Sequence, residues 1–189
     1  MEIEVRGSKE KGSPVVHVEL ANVDRLEYES IATRFAPWIK QLGPTDGIVA
    51  AFLAAVQQLP EANPSDLWLH LIYRTYVDRC GGSPQSWKRA SGFAFERVLE
   101  TYYRPALEPL RLCAKRLSRS EAQAFLDEVG LAEQVPASKL DMAVHALDRD
   151  KIVAILHAKV SLAERITDDA PASRKLIERG FPSPILTFD

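Results

Sequence analysis

Asp141 and Lys159 are the two residues of this sequence whose types and spacing best suit phosphodiester hydrolysis. They lie in two mainly apolar segments, residues 139–147 and 151–161, that we predict to be strands. Such hydrolysis needs carboxylates to hold a hard cation and a lysine to orient a water or stabilise charge. A cross-strand salt bridge between the same two residues is the simpler alternative.

The two segments are joined by three charged residues, 148–150, which predicts an antiparallel hairpin. Side chains alternate between the faces of a strand, so Asp141 shares a face with His145, and Lys159 shares a face with His157. A turn centred near residue 150 would set Asp141 opposite Lys159, and a turn centred on residue 149 would set it opposite His157. In either register an acid lies beside a lysine at the open end of the hairpin.

A second acid is predicted on a helix that begins near residue 83 and continues to about residue 103. The step of about 100° per residue puts Arg89, Gly92, Glu96 and Glu100 on one face. The glycine removes bulk there, so a carboxylate can reach a neighbouring strand. An ordinary solvated face is the alternative.

The segment after Lys159 carries two more candidates. Ser161 and Glu164 have the spacing of a capping box, and Arg165 and Asp169 are four residues apart, as in an ordinary ion pair. Alternatively this helix start enters a DNA groove, since arginine is the favoured bidentate contact for guanine and a carboxylate accepts from cytosine N4. Glu164 and Arg165 are then candidates for contacting C·G pairs.

Helices are predicted over most of the first two thirds of the chain, and strands with short helices after it. The helices are bounded by prolines, glycines and capping serines or threonines, and cover residues 24–40, 45–59, 65–77, 83–103 and 118–130. Short helices at 162–169 and 172–179 precede a strand at 185–188. The sequence stops inside that strand, which we take as a sign that it is a fragment of a longer protein.

The composition narrows the class of protein. The 189 residues are 46% hydrophobic and 26% charged, a globular mixture, and the net charge of -2 argues against a uniformly basic nucleic-acid wrapper. The charged N-terminus and a longest apolar run of about 10 residues favour a soluble cytoplasmic protein without a membrane partner. Cys80 and Cys113 are predicted to be buried free thiols, and His70 a packed or surface residue.

Two stretches together resemble a known family: SGFAFERVLETYY, and KLDMAVHALDRDKIVAILHAKVSLAERITDDAPAS. They resemble the type II restriction endonucleases of the BsaWI and AgeI kind, which recognise sites containing CCGG and belong to the PD-(D/E)-x-K nuclease superfamily. The resemblance covers roughly residues 83–189. Its specific part is K-x-S-x-A-E-R.

The resemblance implies a Mg2+-dependent endonuclease in which Asp141 matches the metal-binding aspartate, Lys159 the active-site lysine and Glu96 the helix glutamate. The usual motif has an acid two residues before the lysine, where this sequence has His157. In CCGG-type enzymes the second carboxylate is displaced onto a following helix. The resemblance therefore implies Asp169 as the second metal ligand, with residue 168, also an aspartate, as the alternative, and Glu100 as the alternative to the helix glutamate.

The resemblance further implies that Glu164 and Arg165 contact the C·G pairs and that Arg89 contacts DNA. The expected reaction is in-line attack of water on duplex DNA at a palindrome containing CCGG, leaving a 5′-phosphate and a 3′-hydroxyl. The expected partners are double-stranded DNA, a second copy of the chain on DNA, and a modification methyltransferase encoded nearby.

The fold class predicted is a helix-rich α/β nuclease, with a small mixed β-sheet flanked by helices. Residues 1–80 would form a helical subdomain and residues 81–189 a nuclease core, incomplete at its C-terminal end. Two other functions remain open: a PD-(D/E)-x-K nuclease with a different target, and a non-catalytic helical binding or scaffolding protein whose acids and lysine merely pair.

Overall fold

The computed structural model describes residues 2–6, 15–19, 25–149, 151–160 and 166–188. The chain divides into two compact units, Met1–Ala90 and Ser91–Asp189. Helix α4 (Pro84–Leu107) contains the boundary between them. None of the helices in the described ranges is long and apolar enough to cross a membrane.

The first unit is mainly helical but begins with an antiparallel pair of strands, β1 (Glu2–Arg6) and β2 (Val15–Glu19). Helices α1 (Arg25–Leu42) and α2 (Pro44–Gln58) follow. The short α3 (Pro64–Asp66) continues in π-helical turns over Leu67–Ile72 and Thr75–Arg79. The apolar faces of these helices meet in a core that includes Phe35, Phe52, Trp68 and Ile72. Burial of such large side chains, at about 1.5–3 kcal/mol each, holds the helices together.

The second unit is built on a four-stranded mixed sheet with the order β3-β4-β5-β6. The strands are β3 (Leu112–Arg116), β4 (Met142–Ala146), β5 (Lys151–Ala158) and β6 (Ile185–Leu186). The first three pair antiparallel, whereas β6 runs parallel to β5. The crossover between β5 and β6 carries helix α6 (Ile166–Glu178), so these last elements form a β-α-β unit.

Helix α5 (Arg119–Glu128) and helix α6 cover one face of this sheet. Ala143 and Ile155, partners on β4 and β5, point into an apolar cluster with Leu126 and Leu176 from the two helices. All four side chains are nearly inaccessible to solvent. A glutamate or lysine at the position of any of these four side chains would lose its hydration.

The β4–β5 ladder contains a register shift. Val144 pairs with Ala154 and His145 with Ile152, so Val153 is an extra residue on β5. On the far side of this bulge the ladder pairs Met142 with Leu156, and one further step sets Asp141 opposite residue 157. This is the register of a turn centred on residue 149, one of the two predicted alternatives.

The predicted fold class is confirmed: the chain is helix-rich with a small mixed sheet. The prediction that the first two thirds are helical is wrong at three strands, β1, β2 and β3. The β3 sequence, LCAKR, is too short to show a period of its own and becomes a strand because it pairs with β4. Cys113 therefore lies on a strand, and both cysteines are free but only half-buried rather than buried.

Two predicted boundaries also differ. Strand β4 begins at Met142 because residues 137–139 form a 3-10 turn. Residues 172–179 do not start a separate helix, because α6 continues through Pro171. Asp169, Ala172, Ser173 and Leu176 repeat at three and four and are all buried, so packing of this face outweighs the helix-breaking tendency of the proline.

Candidate active site

Asp141 and Lys159 meet where β4 begins and β5 ends. Asp141 Oδ2 lies 2.7 Å from Lys159 Nζ and accepts a second hydrogen bond, 3.0 Å long, from the backbone N–H of Ala158. The backbone N–H of Lys159 donates to the carbonyl of Leu186 on β6. The aspartate is thus held by β5 and the lysine by β6. Both side chains are largely buried yet reach solvent, as a site that admits a substrate requires.

Asp169 joins this pair from helix α6. Its Oδ2 lies 3.5 Å from Lys159 Nζ and its Oδ1 lies 3.4 Å from Lys139 Nζ. The carboxylate is 2% exposed, and its Oδ2 accepts no hydrogen bond of good geometry. A buried carboxylate is costly without compensating charge, which here comes from two ammonium groups.

Glu96 approaches from helix α4, within the second unit. Arg116 Nε on β3 lies 2.9 Å from Glu96 Oε2, and the same guanidinium stacks over the ring of Phe93, 4.1 Å from its centroid. Burial raises the pKa of Glu96 to about 7; Arg116 opposes the rise, the Asp141 charge adds to it and Lys159 opposes it. Glu96 therefore lies within electrostatic range of the Asp141–Lys159 pair and is protonated in part near neutral pH.

Glu100, the alternative to Glu96, pairs with Arg97 and Arg104 on its own helix. It is thus tied to the surface of α4, one turn beyond Glu96. Of the two glutamates, Glu96 is the one that the structure brings to the Asp141–Lys159 pair.

His157 takes the place that an acid has in the usual motif, and it is completely buried. Its Nδ1 lies 2.9 Å from the carbonyl oxygen of Lys139, so Nδ1 carries the proton and donates. Its Nε2, 2.9 Å from Ser183 Oγ, then accepts from that hydroxyl. Burial lowers the pKa of His157, partly opposed by the hydrogen bond to Lys139 and by the Asp141 and Asp169 charges, and the ring is neutral.

The remaining predicted residues are not part of this cluster as described. Arg89 lies exposed on α4 in the first unit. Glu164 and Arg165, with the predicted capping box from residue 161, lie outside the described residues, and the side chain of residue 168 does too. Among described residues, no group of three or more His, Cys, Asp and Glu side chains is placed to hold a metal ion.

Sequence reasoning missed Lys139 and Arg116. Arg116 was missed because β3 was not predicted. Lys139 had a detectable signal: it stands two residues before Asp141, so a continuous strand would have placed both on one face. The structure reaches that proximity through a 3-10 turn instead.

These features define the chain as a nuclease-like α/β protein, with acids and a lysine gathered at the ends of adjacent strands. No protein-family model matches the chain. The type II restriction enzyme AgeI from Thalassovita gelatinovora is 37% identical over 187 residues, covering 93% of this chain and 67% of that enzyme. The chain therefore belongs to the family of type II restriction endonucleases that AgeI represents, which are site-specific deoxyribonucleases.

The solved structure of the AgeI relative agrees with this assignment. The crystal structure of the specific restriction endonuclease AgeI–DNA complex superposes with a TM-score of 0.83 at 34% identity, over 99% of this chain and 70% of that chain. The crystal structure of the pre-specific restriction endonuclease BsaWI–DNA complex has a TM-score of 0.45 at 19% identity, over 85% of this chain and 70% of that chain.

Proposed function

We propose that the chain cleaves double-stranded DNA at a palindrome containing CCGG, with Mg2+ held by Asp141 and Asp169. The observation that carries this proposal is the convergence of both carboxylates within 3.5 Å of one lysine nitrogen, Lys159 Nζ. A lone salt bridge would need one acid, and here a second one is buried beside it at a clear cost in hydration. The AgeI relative, described in complex with DNA, supports the same substrate class.

The residues fit a hard cation. Mg2+ is usually bound in such sites by one or two carboxylates together with phosphate oxygens and water, so two aspartates suffice. Asp169 Oδ2, buried and accepting no well-formed hydrogen bond, is an oxygen with a lone pair to offer. When bound, Mg2+ would polarise the scissile phosphate and make a bound water more acidic.

The chain's own groups then have separate tasks. Asp141 and Asp169 bind the cation, and Lys159 orients the attacking water or stabilises charge on the phosphate. The water loses a proton to solvent as its oxygen forms a bond to phosphorus, in line with the bond to the 3′ oxygen. That bond breaks, and the 3′ oxygen takes up a proton from solvent. The products are a 5′-phosphate and a 3′-hydroxyl. Glu96, held by Arg116 on the edge of the cluster, supports the site.

The proposed surroundings of this activity come from the family resemblance. Double-stranded DNA is the partner, contacted by Arg89 and, at the C·G pairs, by Glu164 and Arg165. A palindromic site calls for two copies of the chain related by a two-fold axis. A modification methyltransferase would protect the host's own sites, and the enzyme would act in the cytoplasm, where it meets this substrate.

The test is incubation of the protein with plasmid DNA in Mg2+ and in EDTA, followed by sequencing of the ends. We expect cuts only with Mg2+ and only at sites containing CCGG. Cuts without that preference would identify a nuclease with another target. Absence of both cleavage and Mn2+ binding would leave a non-catalytic protein whose acids and lysine merely pair.

A separate measurement tests the proposed base contacts of Glu164 and Arg165. Glu164→Gln and Arg165→Ala should each lower the affinity for a CCGG duplex by tens-fold or more. Each base contact is worth roughly 1–3 kcal/mol and counts twice in a symmetric dimer. Affinity for a scrambled duplex should change far less, because phosphate contacts dominate it. Binding is measured in Ca2+ at one salt concentration. An equal loss of affinity for both duplexes would contradict the base contacts and leave Glu164 with only its predicted capping role.

A further inference from the structure

Asp169 lies between two lysines that contact different oxygens of its carboxylate. Lys159 Nζ is 3.5 Å from Oδ2, and Lys139 Nζ is 3.4 Å from Oδ1. Lys159 also pairs with Asp141, at 2.7 Å, and so contacts both aspartates, whereas Lys139 contacts the other oxygen of Asp169. The two lysines are therefore not equivalent.

The difference matters when a cation enters the site. A cation bound at Asp141 Oδ2 and Asp169 Oδ2 would take the place of Lys159 Nζ, because that nitrogen now contacts both of these oxygens. Lys139 contacts the other oxygen of Asp169 and is 29% exposed, so it can stay where it is. It would keep the buried carboxylate oriented while Lys159 moves toward the phosphate.

Lys139 is itself held by His157. The buried imidazole donates from Nδ1 to the Lys139 carbonyl and accepts at Nε2 from the Ser183 hydroxyl. Ser173, on α6 one turn after Asp169, donates from its hydroxyl to the Ser183 carbonyl. A neutral, fully paired histidine thus ties the turn that carries Lys139 to the loop after the helix that carries Asp169.

We propose that Lys139 is a positioning residue that sets Asp169 for metal binding, and that His157 sets the position of Lys139. The proposal rests on the proposed function, since it assigns these residues to the same metal-binding carboxylate. His157 stands where the usual motif has a carboxylate, but both of its ring nitrogens are hydrogen-bonded within the protein. It instead helps to hold Asp169, the carboxylate that is displaced onto α6. Groups that orient metal ligands in this way are typically worth 10–100-fold in metal affinity or activity.

The test is the affinity for Mn2+ alone, measured from the electron paramagnetic resonance of free Mn2+, without DNA. We expect Lys139→Met to weaken Mn2+ binding about tenfold at a temperature where its melting curve shows the variant to be fully folded. Loss of charge alone would act in the opposite direction, since removing an ammonium near a cation site strengthens cation binding. Lys139→Arg, which keeps the charge, should restore most of the affinity. Lys175→Met, an exposed lysine on α6, is the matched control.

Two substitutions of His157 separate its two hydrogen bonds. An asparagine amide can replace the Nδ1 donor and a glutamine amide can replace the Nε2 group. His157→Asn should therefore keep Mn2+ affinity near that of the unaltered protein, and His157→Gln should weaken it. If His157 acts through Lys139, the double variant Lys139→Met/His157→Gln should bind no more weakly than Lys139→Met alone.

Two results would overturn the proposal, and they have different consequences for the proposed function. Unchanged or tighter Mn2+ binding by Lys139→Met, with normal binding by the unaltered protein, would remove the role of Lys139 and leave the proposed function standing. Failure of the unaltered protein to bind Mn2+ in a way that depends on Asp141 and Asp169 would remove the proposed metal site, and the role of Lys139 with it.

Discussion

Asp169 brings a carboxylate to the candidate site from helix α6, whereas the usual motif has this acid two residues before the lysine. The acid expected two residues before Lys159 is replaced by His157, whose ring is buried and neutral. A carboxylate from α6 instead reaches the same lysine nitrogen. Because the chemistry depends on where the oxygens lie and not on their place in the sequence, the exchange preserves the charge of the cluster.

Asp141 is the residue on which the proposed catalysis depends most directly. Asp141→Asn should lower cleavage by more than about 100-fold, because even the partners that merely orient a metal ligand are worth 10–100-fold. The amide oxygen can still accept from the Ala158 N–H, so the fold is kept. Specific DNA binding in EDTA should be equal or tighter, as one negative charge near the phosphates is gone. Cleavage is measured as single-turnover rates in Mg2+.

Asp141→Ala is the companion variant and should behave in the same way, at some cost in stability. Its melting temperature should be lower, since it leaves Ala158 N–H and Lys159 without this acceptor. Cleavage at the unaltered rate in either variant would exclude Asp141 as a ligand.

The raised pKa of Glu96 predicts that the free energy of unfolding depends on pH. Its pKa is raised from 4.5 to about 7, so between these pH values the folded protein binds a proton that the unfolded chain has released. The free energy of unfolding therefore falls as pH rises through this window. Glu96→Gln removes the cost, and its stability relative to the unaltered protein should rise between pH 4.5 and 7 by up to about 3 kcal/mol and level off above.

The measurement is urea unfolding in EDTA at pH values from 4.5 to 8.5. Glu100→Gln, one turn along the same helix and paired with Arg97 and Arg104, is the control. A constant difference between Glu96→Gln and the unaltered protein at every pH would contradict the raised pKa.

The elements that carry the site are positioned by local rules at some places and by packing at others. Helix α5 begins with a complete capping box: Ser118 Oγ accepts from the Glu121 N–H, and the Glu121 carboxylate accepts from the Ser118 N–H. Helix α6 has a proline inside it and is held by its buried face. Both helices pack on the same face of the sheet, so each supports the strands that end at the candidate active site.

The cap of α5 predicts a measurable loss of stability. Ser118→Ala removes the acceptor for the Glu121 N–H and should lower the free energy of unfolding by about 1 kcal/mol. Gln123→Ala, exposed on the same helix and paired with Asp127, should cost a few tenths of a kcal/mol. Both are measured by urea unfolding. A loss in Ser118→Ala no larger than in Gln123→Ala would show that the cap contributes nothing.

The whole molecule combines a helical unit with a compact sheet unit that holds the candidate active site. A net charge of -2 is unusual for a protein proposed to bind DNA, so the positive charge must be placed locally. In the second unit several exposed cationic side chains lie on α4, on β3 and at the start of α5, among them Arg97, Arg104, Lys115, Arg116 and Arg119. Such a local concentration, not the net charge, would supply contacts to phosphates.

The proposed dimer predicts the number of copies of the chain that bind one DNA duplex. On a short duplex with one CCGG palindrome in Ca2+, the complex should contain two copies of the chain, because a two-fold DNA site presents two equivalent half-sites. The mass is measured by light scattering after size-exclusion chromatography, with a scrambled duplex as control. A specific complex containing one copy would contradict the proposed dimer.

The sequence was enough to predict the fold class, the hairpin and the meeting of Asp141 with Lys159. These follow from short-range rules, since strand alternation and a three-residue turn bring the two residues together in either register. It also determined most helix boundaries, because caps, glycines and prolines act within a few residues. The family resemblance added Asp169 and Glu96, which spacing alone could not connect to the hairpin.

The partners of those residues could not be predicted from the sequence, because they follow from contacts between distant parts of the chain. Strand β3 exists because it pairs with β4, and with it comes Arg116 beside Glu96. The bulge at Val153 selects the register opposite residue 157, and the packing of α6 carries Asp169 between Lys139 and Lys159. These contacts join residues far apart in sequence, and their free energy comes from burial and charge compensation that no local pattern encodes.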